Sequence, residues 1–379
     1  MSQNKIKLAI VENSFAVGGV QKLALDQVQT LDKDKFEILL IVLTQSDQNN
    51  FYDLLPEGVR VEKLNFHGLK DFKSWLQLIS IIREFKPDIV KSSLFLSNTI
   101  VRVLKPFLGF KVITAEHNTN DGKGKLQRFI NKSLNTLSYT TIVDSNMVAE
   151  HLSKTENIPI DRFTVIHNGV DVKAIEAFKI THAGEREKYR REYGIKENEN
   201  LFFTVGRLVK QKNHVRMVKA FALFLKKHPD SKLLIIGDGL LKPDIEKVIT
   251  ENKIEDKVIL LSARTDIKKY YLMSDFTLLS SDHEGFCIAA MEGLAFGAPL
   301  ISTRVAGVSE YLIDGENGYF ADKTPESLAE KMGEVVSLSE EELLKFKQAS
   351  VKTSLEYSVD KYGEKFTDLV LRSVSKTEL

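Results

Sequence analysis

Two glutamates eight residues apart, Glu284 and Glu292, bracket the run Gly285-Phe286-Cys287-Ile288-Ala289-Ala290-Met291. A carboxylate set in apolar sequence is costly unless something hydrogen-bonds it, and the hydroxyls of a ribose or a sugar are suitable partners. The spacing alone decides nothing, because Glu326 with Glu334, Glu334 with Glu342, and Glu356 with Glu364 share it. The setting separates this pair. Glu284 follows a strand-like apolar run, 275–280, where Gly285 opens a helix, and Glu292 falls about two turns along that helix. The free amides of such a helix start favour phosphate. The alternative for Glu292 is a core carboxylate paired with Lys or Arg.

Other candidates stand after apolar runs in the same way. Arg207 and Lys212 lie in VGRLVKQKNH, after the run 201–205, and supply a fork and a point charge suited to a departing diphosphate. Either alone is equally a solvated basic loop. Gly237 and Gly239 follow the run 232–236 and allow close backbone approach, whether to a nucleotide edge or within a tight turn. Gly18 and Gly19 follow the first run and open a helix near Val20, a second place for an anion or merely a helix-start loop. His117, in TAEHN after the run 111–115, is placed to touch a sugar or steady developing charge, or to serve only the core.

The elements that must position these residues repeat as strand and helix. Strands are expected at 6–11, 36–43, about 88–92, 111–115, 140–143 and 163–166, then at 201–205, 232–236, 257–261, 275–280 and 298–302. Runs apolar on both faces suit parallel strands covered by helices. The turn-rich HNGVD at 167–171 and the polar stretch 179–200 separate two sets, hence two Rossmann-like α/β domains, doubly wound and facing across a cleft. The expected bounds are 1–168 for the first domain and 169–357 for the second. A last helix lies at about 358–379.

Composition excludes several classes. The single cysteine, Cys287, rules out a disulfide framework and a multi-Cys zinc site. No apolar run reaches the roughly 18 residues of a membrane span. The N-terminus reads as a first strand and not a signal peptide, so a cytoplasmic protein is expected. A net charge of +1 argues against a nucleic-acid partner. GxxxxGK[ST], GxGxxG and HExxH are all absent. Asp32 and Asp34 read as a solvated turn between helix and strand.

Taken together, these residues resemble family 4 of the retaining glycosyltransferases, which have the GT-B fold. The family's features occur in order over nearly the whole chain: Gly18-Gly19, Pro87-Asp88-Ile89-Val90, His117, Asn168-Gly169-Val170-Asp171, Gly206-Arg207-Leu208 with Lys212, Gly237-Asp238-Gly239, and Glu284 through Glu292. Gly297-x-Pro299 and Gly307 to Glu310 also fit. The resemblance implies a hexosyltransferase-type enzyme that moves a sugar from a nucleotide sugar to a hydroxyl with retained configuration. It implies that Glu292 binds the ribose, and that Glu284 meets the donor sugar with the backbone of Gly285, Phe286, Cys287 and Ile288. Arg207 and Lys212 would stabilise the diphosphate, Gly18 and Gly19 would bring amides to it, and His117 would touch the donor sugar. Gly237 and Gly239 belong to the same donor set. No cofactor and no metal are expected, since the nucleotide sugar is a substrate, and the last helix would return to the first domain. The chain departs from the family at Cys287, often Gly, at Gly293, commonly Ala, and at Ala306-Gly307, commonly a Gly pair. These departures bear on donor choice.

The acceptor is expected on the first domain, where residues 60–132 carry 14 basic and 6 acidic side chains. Arg102, Lys105 and Lys111 interleave with Phe107, Leu108 and Phe110, and Lys70, Lys73, Trp75, Lys123, Lys125, Arg128 and Lys132 add to them. That mixture suits an anionic membrane surface on the cytoplasmic side and a lipid-linked glycan acceptor, as in bacterial surface-polysaccharide synthesis. A solvated basic face is the alternative. Rival functions are a UDP-sugar 2-epimerase of the same fold and a non-catalytic sugar- or nucleotide-binding module. UDP is expected on the family's frequency, not on any one residue.

Overall fold

The computed structural model describes residues 5–16, 18–44, 50–68, 70–117 and 123–375. The chain forms two compact units, Met1–Gly169 with Val359–Leu379, and Val170–Ser358. In the first, strands β1 (Ile6–Glu12), β2 (Phe36–Val42), β3 (Arg60–Lys63), β4 (Ile89–Ser93), β5 (Lys111–Glu116), β6 (Thr140–Val143) and β7 (Phe163–Val165) alternate with helices. The helices are α1 (Gly19–Thr30), α2 (Phe72–Phe85), α3 (Phe95–Leu108), α4 (Lys125–Asn135) and α5 (Asn146–Glu156). The strands form one parallel sheet in the order β3-β2-β1-β4-β5-β6-β7.

The second unit opens with α6 (Val172–Thr181) and α7 (Arg186–Glu192). There follow β8 (Asn200–Val205), α8 (His214–Leu225), β9 (Ser231–Ile236), α9 (Lys242–Glu251), β10 (Val258–Leu261), α10 (Lys268–Met273), β11 (Phe276–Leu279), α11 (Ile288–Phe296), β12 (Leu300–Thr303), β13 (Gly318–Ala321), α12 (Pro325–Val336) and α13 (Glu340–Glu356). Its parallel sheet runs β10-β9-β8-β11-β12-β13. Helix α14 (Val359–Ser375) then returns to the first unit, where Tyr362, Phe366, Leu369 and Val370 enter the core beneath β1 and β2. Each buried apolar side chain of that size contributes about 1.5–3 kcal/mol, which fixes the helix there.

Two strands are not legible as apolar runs. β3 reads Arg-Val-Glu-Lys and lies at a sheet edge, where one face stays wet. β13 begins at Gly318, whose missing Cβ would meet the Leu300 carbonyl oxygen at 1.9 Å.

In each sheet the order reverses between two strands, β1 and β4 in the first and β8 and β11 in the second. Ligands of open parallel sheets bind at the carboxyl ends of such strands. The loops after β8 and β11 carry Arg207, Lys212 and Glu284.

The basic stretch of the first unit is partly interior, which corrects the expectation of a single charged face. Arg102 is 2 % exposed and donates to Ser138 Oγ at 2.8 Å, Asn131 Oδ1 at 3.2 Å and Thr114 Oγ1 at 3.0 Å. Burial lowers its pKa to about 10, which leaves it charged at neutral pH. Lys123 is buried between Glu116, at 3.1 Å, and Glu156, at 2.9 Å, and Lys91 is buried against Glu12 at 2.8 Å. Phe110 is core as well. A buried cation needs partners from other elements, and those pairings are invisible in a local charge count.

Gly293 is explained by packing. A Cβ at that position would lie 2.0 Å from Thr277 Oγ1 on β11. Gly293→Ala gains about 1 kcal/mol of helix propensity but must displace that strand. We expect a net loss of about 1–3 kcal/mol in urea unfolding, partly recovered by adding Thr277→Ala. Unchanged or higher stability of the single variant would contradict this packing.

Candidate functional site

Lys212 ends a short helical turn, Lys210–Lys212, after β8, and its Nζ lies 2.7 Å from Glu284 Oε1 in the loop after β11. Glu284 is 5 % exposed and also accepts from Ser281 Oγ at 2.6 Å. The two loops are stitched together by further bonds. Ser280 Oγ donates to the Lys212 carbonyl at 2.9 Å, Asp282 N–H to the Gln211 carbonyl at 2.8 Å, and Gln211 Nε2 to the His283 carbonyl at 2.9 Å. Arg216, in the first turn of α8, donates to Asp282 at 2.6 Å.

Burial pulls the Lys212 pKa down, but the neighbouring Cys287 and Glu284 outweigh it and hold the ammonium above its ordinary value. Burial pushes the Cys287 thiol up to about 11, so at neutral pH the thiol carries no charge and Glu284 is the operative counterion. Burial, then the Lys212 charge, lowers His214 to about 3, so this imidazole adds no charge to the site. Arg207 is exposed and forms no ion pair among the described residues.

The segment that carries Glu284 is held from below. Phe286 is 1 % exposed and packs on the rings of Tyr311 and Tyr357 at 5.2 and 5.5 Å. Gly307 is required here, since a Cβ would meet the Gly285 carbonyl oxygen at 1.6 Å. Cys287 caps α11 with φ +66°, a left-handed conformation that costs an L-residue about 1–2 kcal/mol. A chain that prefers glycine at this position avoids that strain, so the departure at Cys287 is a backbone matter. Cys287 offers no side-chain cap, and its carbonyl takes the amides of Ala290 and Met291 at 3.1 and 3.3 Å, which leaves those of Ile288 and Ala289 to a ligand or water.

Glu292 lies one turn into α11, not two, because the helix starts at Ile288 and not at Gly285. It is half-buried, and a hydroxyl is among its partners. The Tyr271 hydroxyl lies 3.0 Å from Glu292 Oε2 and 2.8 Å from the Ala289 carbonyl oxygen, with one hydrogen to share between them. Burial, then the Glu292 charge, raises the tyrosine well above its ordinary value, so it stays a donor. Tyr271 was not among the sequence candidates. Its only sequence signal is a place in the apolar run at 270–273.

Gly237 and Gly239 are needed for a close approach within the protein, whatever else they meet. A Cβ on Gly237 would sit 1.9 Å from the Gly206 carbonyl oxygen, and one on Gly239 would sit 2.4 Å from that of Leu208. The close approach is between the loops after β8 and β9, tied by Leu208 N–H to the Asp238 carbonyl at 2.8 Å. These glycines therefore fix the course of the Arg207 loop.

Three candidates belong to the first unit. Gly18 precedes α1 in extended conformation and Gly19 is its first residue, with no side-chain cap. His117 directly follows β5 and is 7 % exposed, beside Asp144. Residues 118–122, just beyond it, lie outside the described residues.

The sequence family described as Glycosyltransferase Family 4 matches residues 17–174, and that described as Glycosyl transferases group 1 matches residues 185–353. The chain belongs to the family-4 glycosyltransferases. It is accordingly an enzyme of the glycosyltransferase class. Among similar proteins is the Escherichia coli UDP-Gal:alpha-D-GlcNAc-diphosphoundecaprenol alpha-1,3-galactosyltransferase, 27 % identical over 81 % of this chain and 81 % of that protein. An N-acetylgalactosaminyltransferase of Campylobacter jejuni, named for a diphospho-undecaprenol-linked substrate, is 26 % identical over 83 % of this chain and 86 % of its own. Among solved structures, HepE of Anabaena in complex with UDP superposes with a TM-score of 0.84 at 17 % identity, covering 97 % of this chain and 100 % of that one. The fold of this glycosyltransferase is GT-B.

Replacing Glu292 by Ala removes the carboxylate without touching the stitched loops. We expect UDP affinity, measured by calorimetry, to fall about tenfold or more with the fold intact, equivalent to at least about 1.4 kcal/mol. An unchanged affinity would overturn Glu292 as a ribose ligand.

Proposed function

We propose that this glycosyltransferase moves a hexose from a UDP-sugar to a hydroxyl of a lipid-diphosphate-linked glycan, with retained configuration, in assembly of a bacterial surface polysaccharide. The observation that carries the reading is the Lys212–Glu284 ion pair at 2.7 Å, its carboxylate buried and its ammonium partly so, one loop away from the start of α11, which no side chain caps. A cation and a helix N-terminus side by side suit a diphosphate. The E. coli relative's name supports a UDP-linked donor, and the E. coli and C. jejuni names support an undecaprenyl-diphosphate acceptor.

Lys212 and Arg207 take the charge that develops on the departing UDP, and the α11 amides share it. Glu292, steadied by Tyr271, takes the ribose hydroxyls, and Glu284 takes hydroxyls of the donor sugar once Lys212 turns to phosphate. In the first unit, His117, Gly18 and Gly19 follow strands β5 and β1 and are the groups there with the chemistry to meet a sugar or a phosphate. The bond from the anomeric carbon to the diphosphate breaks, the acceptor oxygen bonds to that carbon on the same face, and its proton passes to the diphosphate. Charge stabilisation comes from these side chains without a metal.

Membrane attachment is part of the proposal. Phe72, Leu76 and Phe107 are 79, 69 and 77 % exposed on α2 and α3, and Leu126 and Phe129 are 70 and 67 % exposed on α4. Exposed Lys73, Lys125 and Lys132 share those helices or flank these residues. Apolar tips among lysines suit an anionic bilayer surface. Among the described residues no helix is long and apolar enough to cross a membrane.

UDP should raise the melting temperature with or without EDTA, by the equivalent of about 2.7 kcal/mol at a hundredfold excess over Kd. UDP-galactose, UDP-glucose or UDP-N-acetylglucosamine should then release UDP faster with a polyprenyl-diphosphate-linked sugar present. No response to UDP, GDP or ADP would remove the donor reading, and loss of the response with EDTA would remove metal independence. The protein should also float with phosphatidylglycerol vesicles at low salt, and Phe72→Ser with Phe107→Ser should float less. Absence of flotation would end the membrane claim alone.

A further inference from the structure

We propose that Asp144 is a positioning residue for His117, selecting the ring tautomer that leaves Nε2 free to accept a hydrogen bond from a ligand hydroxyl. The inference rests on the reading of His117 as a donor-sugar contact and adds the group that sets its polarity.

The register of the first sheet creates the juxtaposition. β5 and β6 are parallel neighbours with Glu116 opposite Val143, so the next residue on each strand, His117 and Asp144, emerges side by side at the carboxyl edge. Both are more than nine-tenths buried, at 7 and 2 % exposure. His117 Nδ1 faces Asp144 Oδ2 across 3.6 Å. That oxygen is held from the other side by Asn168 Nδ2, at 3.1 Å, and Asn168 is itself 4 % exposed.

What remains is unusual. Both ring nitrogens of His117 and Oδ1 of Asp144 are buried with no hydrogen-bond partner among the described residues. Buried polar atoms are nearly always satisfied, and three orphans on two adjacent side chains mark a place where a polar ligand completes the set. An ionised carboxylate can only accept, so the ring nitrogen facing it is best protonated. A neutral imidazole with Nδ1–H then presents a lone pair at Nε2. The site is therefore built to receive a donor O–H, as a sugar offers. The 3.6 Å gap is longer than a hydrogen bond, and such contacts are commonly loose before the substrate arrives.

Asp144→Asn provides the test, because once the Asn168 amide turns its oxygen toward it, the new amide donates to both Asn168 and Nδ1 and inverts the tautomer. In full-length protein labelled with nitrogen-15 histidine, at about pH 8.5 where imidazoles are neutral, His117 should report Nδ1–H in the parent and Nε2–H in the variant. UDP release from whichever of the three UDP-sugars turns over should fall about tenfold or more in kcat, with the UDP-induced rise in melting temperature retained. His117→Ala should lose a similar factor, and the double variant should lose no more than the worse single one. Should Asp144→Asn fail to fold, Asn168→Ala, which frees the carboxylate without removing its charge, should show the kcat loss in milder form. An unchanged tautomer, or losses that multiply in the double variant, would overturn the proposal. If His117→Ala keeps full turnover while the tautomer switches, the donor-contact reading fails and the Asp144 assignment stands.

Discussion

One ion pair organises the second unit. Lys212 and Glu284 come from loops after the two strands at which the sheet order reverses, and they meet at 2.7 Å with little solvent between them. A buried ion pair earns little net stability, because desolvation cancels most of its Coulomb gain, but breaking it by removing one partner is costly. Such a pair is well suited to a site that must exchange partners. In the function proposed above, a diphosphate would take the ammonium and release the carboxylate to sugar hydroxyls. The surrounding bonds through Ser280, Gln211 and Asp282 tie the two loops to each other independently of the pair.

The first unit uses charge differently. Arg102, Lys91 and Lys123 lie inside, each with acidic or hydroxyl partners from other strands and helices. They fix how α3, α4 and α5 sit on the sheet, and they leave the remaining lysines and the exposed apolar tips on the surface. His117 and Asp144 stand at the edge of the same sheet, where order in the strands is converted into order of two side chains.

Much of this was legible in the sequence for a physical reason. Parallel strands covered by helices read as apolar runs, and eleven of the strands did so, while β3 and β13 did not, being a charged edge strand and a short run starting at glycine. Arg207, Lys212, Glu284 and Glu292 could be singled out because polar groups just after apolar runs fall at the ligand edge of such sheets. The partners were not legible. Tyr271 reaches Glu292 across 21 residues of sequence, and Asp144 stands 27 residues beyond His117, so only strand order and register bring them together. The glycines carry a demand of the fold. Gly237 and Gly239 are demanded by a neighbouring loop, which a sequence cannot distinguish from a demand made by a ligand. Cys287 shows the reverse case, a side chain kept where the backbone favours glycine.

The proposed function requires the Lys212–Glu284 pair to open to a diphosphate. Its most direct test compares the affinities of UDP and uridine for the parent protein and for Lys212→Met combined with Glu284→Gln, which removes both charges and strands neither. UDP should bind much more tightly than uridine to the parent, and this advantage should shrink about tenfold or more in the double variant while uridine binding holds. An unchanged ratio of the two affinities would contradict it.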